Sequence, residues 1–127
     1  MKKLYKTLSV LSVLSFALMA QAARSQDVQH GRKMFQECAA CHSLDAGDNA
    51  LGPSLANVLG RQAATLSGFR FSNALKKTGV TWDQAKLDEF LTEPQKFAPG
   101  NRMPYSGMLS ASDRSALIEY LASLSAK

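Results

Sequence analysis

The stretch Cys38-Ala39-Ala40-Cys41-His42 decides how the rest of this 127-residue chain is interpreted. It contains both cysteines of the chain and one of its two histidines. On a helix, positions 38 and 41 lie about one turn apart on the same face. Two thiols so placed can add to the two vinyl groups of one haem, and the imidazole that follows can reach the iron. The spacing C-x-x-C-H is the attachment signature of haem c.

Other chemistries for two close cysteines stay open at this point. A C-x-x-C pair can be a redox disulfide, as in thioredoxin-like domains, or a structural disulfide in an exported protein. It can also be half of a zinc site, but no second C-x-x-C follows and the only other histidine is His30. We favour haem attachment because a histidine directly follows the second cysteine, and we place His30 on the solvent face of a helix.

Residues 1–22 have the layout of a secretory signal peptide. Three lysines precede an uncharged, mostly apolar run, and Ala20-Gln21-Ala22 is an A-x-A cleavage site. We predict cleavage after Ala22, which leaves a monohaem domain of residues 23–127. An uncleaved membrane anchor is the alternative, for which the apolar run is short. Export fits assembly of haem c outside the cytoplasm and indicates the periplasm of a Gram-negative bacterium.

The composition, 46% hydrophobic and 20% charged, is that of an ordinary globular domain. A formal charge of +5 falls to +2 once the three leader lysines are removed. Neither a basic patch with interleaved aromatics nor a named nucleic-acid motif is found, so a nucleic-acid partner is excluded. We expect a monomer with no stable membrane insertion after cleavage.

Apolar spacing predicts an all-α domain without internal repeats. The predicted helices are 27–38, a short helix from Ser72 ended by Gly79, one capped by Thr81 and bounded by Pro94, and a last one starting at Ser110 or Ser112. Inside the first helix Gly31 costs up to ~1 kcal/mol relative to alanine, so we expect another helix to approach it closely. Two prolines and a glycine exclude regular helix over 95–104, which we predict to be an ordered loop.

A sixth ligand opposite His42 must come from Met34, Met103 or Met108, or the position is open. Met34 is too close to the attachment helix to cross the haem plane. Met103 lies between Pro99-Gly100 and Pro104, a constrained loop that is hard to explain as a casual connection. We predict Met103 as the ligand, with Met108 and an open site as alternatives. Histidine–methionine ligation raises the reduction potential and disfavours small-ligand binding, which favours electron transfer over oxygen chemistry.

These motifs together resemble those of class I c-type cytochromes, the small soluble, mitochondrial-like monohaem type of bacteria. The resemblance covers nearly all of residues 27–125. Its motifs are Gly31 and Phe35 before the C-x-x-C-H stretch, Gly52-Pro53-x-Leu55, Leu59-Gly60-Arg61, Gly68-Phe69, Gly79-Val80-Thr81-Trp82, Leu91-x-x-Pro94, Lys96-Phe97-x-Pro99-Gly100-x-x-Met103, and Asp113-Arg114-x-x-Leu117-Ile118-x-Tyr120-Leu121.

The resemblance implies the cytochrome c fold, in which the N- and C-terminal helices cross and helices and loops wrap one haem c. The haem would be bound covalently through Cys38 and Cys41. His42 and Met103 would be its two axial ligands, and therefore the metal ligands of the protein.

The resemblance also implies supporting roles around the haem. The carbonyl of Pro53 would accept from the outer ring N–H of His42, and Arg61 and Trp82 would hydrogen-bond the propionates. Phe71 and Phe90 stand where the mitochondrial type usually has tyrosines, so two phenol hydrogen bonds are missing. The first helix would cross the last one at Gly31.

The function implied is that of a periplasmic one-electron carrier, not an enzyme. Its donor would be a bc-type complex or a dehydrogenase, and its acceptor a terminal oxidase, a peroxidase or a photosynthetic reaction centre. Two alternatives are a haem-based enzyme or gas sensor with a labile sixth ligand, and a cytochrome subunit of a larger oxidoreductase. Charge steering toward these partner proteins is expected to be weak, because two propionates nearly cancel the mature +2.

Overall fold

The computed structural model describes residue 21 and residues 24–125 of the chain. Almost all of the predicted signal peptide, and Ala22 at its cleavage site, lie outside the described residues. The helices are α1 over 24–34, α2 Gln36–Ala39, α3 Asn73–Thr78, α4 Gln84–Thr92, α5 Pro94–Phe97 and α6 Ala111–Ser125. The described part contains no strand, only one isolated antiparallel bridge between Gln62 and Thr81. The all-α prediction is confirmed.

Helices α1 and α6 meet at Gly31, as its position inside a helix predicts. A Cβ atom on Gly31 would lie 1.9 Å from the carbonyl oxygen of Ala116 and 2.7 Å from Cβ of Tyr120. One turn later, Phe35 packs against Tyr120 with ring centroids 5.8 Å apart. The two terminal helices can approach this closely only because position 31 has no side chain.

Helix α4 packs against α6, and the joint is held by polar contacts as well as apolar ones. Arg114 is only 8% exposed, and its Nε donates to the carboxylate of Asp88 at 2.7 Å. Its Nη1 donates to the carbonyl of Met108 at 2.7 Å, and the N–H of Met108 donates to the Leu91 carbonyl at 2.8 Å. The core between these helices is built from Phe35, Leu87, Phe90, Leu91, Met108, Leu117, Ile118 and Leu121.

The predicted helix ends are confirmed in some places and wrong in others. Ser72 caps α3 by accepting from the Leu75 N–H, and Ser110 accepts from the Asp113 N–H at the start of α6. Thr81, however, is not the cap of α4. Asp83 takes that role, because its carboxylate accepts from the Lys86 N–H at 2.7 Å.

The prediction that residues 95–104 contain no regular helix is wrong for residues 95–97, which belong to helix α5. Pro94 occupies the first turn of the four-residue helix α5, where a missing N–H costs no hydrogen bond. The remaining residues, 98–110, contain no regular helix. None of the helices within residues 24–125 is long and apolar enough to cross a membrane.

Candidate functional site

The C-x-x-C-H stretch lies at the end of α2, and its backbone keeps a helical turn. The N–H groups of Cys41 and His42 both donate to the carbonyl of Cys38, at 3.0 and 2.9 Å. This turn holds the two thiols and the imidazole in one short, ordered segment. All three side chains are partly buried. The predicted attachment residues are therefore brought together by local hydrogen bonding alone.

The ring of His42 is fixed by a backbone carbonyl. Its Nδ1 lies 2.7 Å from the carbonyl oxygen of Pro53. A carbonyl can only accept, so the proton of the neutral ring is on Nδ1 and the lone pair is on Nε2. The adjoining loop is tied back to the motif, because the N–H of Gly52 donates to the Cys41 carbonyl at 2.7 Å. Nε2 is therefore the nitrogen through which this ring can bind a metal.

The two thiols do not have the environment of a redox pair. Cys38 and Cys41 are not bonded to each other. Burial, followed by the neighbouring Glu37 and Cys41, raises the pKa of the Cys38 thiol to about 11. A catalytic or redox cysteine needs a lowered pKa, because the thiolate is the nucleophile. The raised pKa of Cys38 therefore disfavours thiol–disulfide exchange at this residue.

A zinc site also lacks support from the structure. Among residues 21 and 24–125, no group of three or more histidine, cysteine or acidic side chains could hold a metal ion. His30, the second histidine, is exposed and its Nε2 lies 2.7 Å from the carboxylate of Asp113 on α6. It lies on the α1–α6 joint and not near the C-x-x-C-H turn.

Arg61 and Trp82 lie side by side on neighbouring stretches of backbone. The Trp82 N–H donates to the Arg61 carbonyl at 2.9 Å. The guanidinium of Arg61 donates to the carbonyls of Ala56 and Ser54, at 2.9 and 3.0 Å, and burial lowers its pKa. Neutral carbonyls leave the positive charge of Arg61 uncompensated, so an anionic group beside it would be stabilised.

Trp82 also belongs to an aromatic cluster with Phe90 and Phe97. It is 6% exposed, and its ring lies 5.2 Å from that of Phe90 and 5.8 Å from that of Phe97. Phe90, which stands in place of a tyrosine, packs here edge-on against Phe97 at 5.5 Å. The cluster joins α4 to α5 and supports the loop that carries Met103.

Met103 and Met108 differ in their surroundings. Met108 is 8% exposed and belongs to the core between α4 and α6. Met103 is partly buried against the edge of that core, in a stretch without regular helix. The residue before it, Arg102, donates from its guanidinium to the Arg70 carbonyl. Met108 is therefore explained by packing, whereas Met103 keeps a thioether available at the core's margin.

Sequence reasoning missed two polar residues that hold this loop. Asn101 is 8% exposed, and its side chain hydrogen-bonds three backbone groups. The exposed Gln95 donates to the carbonyls of Asn101 and Met103, at 3.2 and 3.3 Å. The only signal for Asn101 was its place beside Gly100 in a turn, where asparagine commonly bonds nearby backbone.

The donor set fits a haem better than any other group considered. Two thiols one turn apart suit two thioether bonds, and an imidazole with an unprotonated Nε2 suits an axial position. The thioether of the partly buried Met103 is of a type that binds haem iron, and Arg61 offers a positive charge to a carboxylate. Each of these features was observed independently of the others.

The chain is similar in sequence to several known cytochromes. Residues 28–125 match the profile of the Cytochrome c family. Cytochrome c2 iso-2 of Magnetospirillum molischianum is 49% identical over 90 residues, covering 71% of this chain and 93% of that protein. Cytochrome c2 of Rhodoblastus acidophilus is 42% identical over 101 residues, covering 79% and 94%.

A solved structure extends the match from sequence to fold. Cytochrome cH from Methylobacterium extorquens superposes with a TM-score of 0.71 at 39% identity, over 76% of this chain and 97% of that one. The match of the family profile covers most of the chain, and the relatives are matched over nearly their whole length. The chain therefore belongs to the cytochrome c family, electron-transfer proteins with one covalently bound haem c, and it is not an enzyme.

Proposed function

We propose that this protein is a periplasmic one-electron carrier with its haem c attached through Cys38 and Cys41. His42 and Met103 would be the axial ligands. When bound, the haem supplies an iron that cycles between the ferric and ferrous states. The observation that carries the proposal is the 2.7 Å hydrogen bond from His42 Nδ1 to the Pro53 carbonyl, which fixes a single ligating nitrogen.

The work of the polypeptide is to keep both ligands in place while the charge on the iron changes. The Pro53 carbonyl orients the His42 ring and makes its Nε2 a better donor. The loop around Met103 keeps the thioether at one position. Electron transfer is fast when little rearranges, and two fixed ligands keep that rearrangement small.

Arg61 and Trp82 would act on the propionates. The partly buried guanidinium of Arg61 offers a positive charge to a carboxylate, and Trp82 would offer its indole N–H as a second donor. An anion next to Arg61 lowers the cost of burying that guanidinium. This assignment of Pro53, Arg61 and Trp82 as haem-binding residues belongs to the proposal.

The periplasmic location rests on residues 1–22 and on the chemistry of haem c. The basic start, apolar run and A-x-A site form an export signal. Cleavage after Ala22 would leave residues 23–127 as the mature carrier. The relatives are cytochromes c2 of two bacteria and a bacterial cytochrome cH, which supports the same setting.

The partners would be redox proteins that dock at the haem edge. A bc-type complex or a dehydrogenase would donate the electron, and an oxidase, a peroxidase or a reaction centre would accept it. The mature net charge is only +2. We therefore expect association rates that depend weakly on ionic strength, compared with those of strongly basic relatives.

The proposal is tested by comparing Met103→Ala with Met108→Ala in the haem-loaded protein. Met103→Ala should lower the reduction potential by on the order of 100 mV, because axial ligands set the potential of haem over a wide range. It should also create CO binding. Met108→Ala should leave the potential close to that of the parent, while costing about 2–5 kcal/mol of stability through the cavity it opens.

Redox titration and CO difference spectra measure these effects. The assignment of Met103 is wrong if Met108→Ala lowers the potential instead. Rapid CO binding by the unaltered protein would contradict a filled sixth position and favour a haem-based sensor or enzyme.

A further inference from the structure

The side-chain amide of Asn101 forms hydrogen bonds with three backbone groups in and near the loop that contains Met103. Its Nδ2 donates to the carbonyls of Pro94 and Ala98, at 2.8 and 3.1 Å. Its Oδ1 accepts from the N–H of Met103 at 2.9 Å. Two partners are pure acceptors and the third is a pure donor, so only this orientation of the amide satisfies all three.

The carbonyl of Met103 is held as well. It accepts from the Tyr105 N–H at 2.9 Å and from Nε2 of Gln95 at 3.3 Å. Gln95 also donates to the carbonyl of Asn101 at 3.2 Å. The N–H of Met103 is therefore held by the buried side chain of Asn101. Its carbonyl is held partly by the exposed side chain of Gln95.

These contacts join Met103 to helix α5. Pro94 begins that helix and Ala98 directly follows it, so the Nδ2 bonds alone would be an ordinary C-terminal cap. The Oδ1 bond adds a link from the same side chain to the backbone of Met103, two residues later. Movement of the Met103 backbone away from α5 must then break this partly buried hydrogen bond.

We infer that Asn101 is a positioning residue for the methionine ligand: its buried amide fixes the Met103 backbone to the end of α5, and Gln95 closes the link from outside. The inference rests on the proposed ligation by Met103. Its consequence is a low population of states in which the thioether leaves the iron. Asn101 itself is not assigned any contact with the haem.

Displacement of the methionine by free imidazole tests this in the ferric, haem-loaded protein. Asn101→Ala should bind imidazole at least tenfold more tightly than the parent, equivalent to about 1.4 kcal/mol. Gln95→Ala, at an exposed position, should do so by about threefold. Leu121→Ala is the matched control, because it empties a buried site on α6 and lowers overall stability without touching the loop.

Amide hydrogen exchange supplies a second measurement that does not involve ligand exchange. The Met103 N–H should exchange at least tenfold faster in Asn101→Ala than in the parent, while Leu121→Ala should leave its local protection relative to global unfolding unchanged. The Gln95→Ala variant keeps the test decisive if Asn101→Ala does not fold.

Three results would overturn the inference. Equal increases in imidazole affinity for Asn101→Ala and Leu121→Ala would show an effect of global stability only. Unchanged protection of the Met103 N–H in Asn101→Ala would show that Asn101 does not hold the Met103 backbone. If Asn101→Ala does not fold, unchanged imidazole affinity in Gln95→Ala would count against the inference in the same way. If Met103→Ala already leaves imidazole binding and the visible spectrum unaltered, the proposed ligation itself fails, and that result is distinguishable from the other two.

Discussion

At the scale of the residue, the Gly52-Pro53 dipeptide shows why this site needs two unusual amino acids in a row. A Cβ atom on Gly52 would lie 2.5 Å from Cε1 of His42 and 2.7 Å from its Nδ1, so only glycine lets the loop pass under the ring. Proline next to it has no N–H of its own to satisfy, and its restricted backbone directs the carbonyl to Nδ1. The pair thus clears space for the imidazole and orients it.

The His30–Asp113 contact predicts a pH dependence. The hydrogen bond from His30, followed by that from Ser110, lowers the pKa of Asp113 below its ordinary value of 3.8. A lowered pKa in the folded state means that this contribution to stability is present above 3.8 and is lost as the pH falls through the folded value. Asp113→Asn should therefore be less stable than the parent near neutrality, and the difference should shrink as the pH drops below 3.8.

Urea titrations at a series of pH values measure this difference. Asp48→Asn, which removes an exposed carboxylate from the loop after the haem motif, is the control. The effect should be small because both partners are well exposed. A gap between parent and Asp113→Asn that widens at acid pH would show that the sign is wrong.

The role of a residue could be predicted from the sequence where only one function fits its residue type. It could not be predicted where two neighbouring residues can both serve as the cap of a helix. Cysteine and histidine in C-x-x-C-H admit few functions, and a glycine inside a helix demands a reason. Thr81 and Asp83 are both residue types that cap helices, however, and a contact with a residue distant in the sequence decides between them. Thr81 pairs with Gln62 in a β-bridge, which leaves Asp83 two residues later to begin the helix.

The difference between these two caps is measurable. Asp83→Ala should cost about 1 kcal/mol of unfolding free energy, the usual effect of removing a side chain that caps a helix. Thr81→Ala should cost clearly less, because no helix N–H donates to that hydroxyl. Chemical denaturation of both haem-loaded variants decides the matter, and equal losses would contradict the assignment of Asp83.

At the scale of the element, the crossing of α1 and α6 sets two effects against each other at Gly31. Helix propensity alone predicts that Gly31→Ala stabilises the protein by up to about 1 kcal/mol. The steric effect has the opposite sign, because the added atom would lie 1.9 Å from a backbone oxygen of α6. Backbone cannot swing aside as a side chain can, so the helices must separate.

We therefore expect Gly31→Ala to lower the free energy of unfolding by at least about 1–3 kcal/mol, the range for overpacked sites. Arg32→Ala is the control, since it changes an exposed position in the same turn of α1 and should have little effect. The measurement is urea unfolding followed by circular dichroism. An increase in stability for Gly31→Ala would mean that the two helices do not touch at this residue.

The segment after α4 contains structural features that the local sequence pattern does not predict. The sequence predicts Pro94 only as the end of α4 and a loop over 95–104, yet Pro94 begins helix α5, to which residues 95–97 belong. That short helix provides the carbonyls to which Asn101 donates. The hydrogen bonds that hold Met103 depend on that geometry and join residues two to eight positions apart. The sequence therefore singles out Met103 as a candidate ligand but does not predict the residues that hold its backbone.

At the scale of the whole molecule, the residues assigned to the haem come from every part of the chain. Cys38, Cys41 and His42 follow α1, Arg61 and Trp82 lie in the middle, and Met103 lies between α5 and α6. The same stretches provide much of the apolar core, through Phe35, Trp82 and Phe90 among others. In a domain of about this size the hydrophobic core alone is modest. A cofactor bonded to several segments thus contributes to the fold as well as to the chemistry.

The last prediction concerns Cys38→Ala/Cys41→Ala. Without thioether bonds the haem should be lost, and the apolar side chains that surround it should lose their packing partner. Unfilled space in a core costs several kcal/mol, out of a total stability of about 5–15 kcal/mol. The double variant should therefore be degraded in the cell or lack a cooperative unfolding transition. Ala40→Ser, which alters the same turn but keeps both thiols, should fold and carry haem.

Mass spectrometry of the unaltered protein should give residues 23–127 plus one haem. A bare chain of that length, or a double variant that unfolds cooperatively in urea, would contradict the haem's structural role.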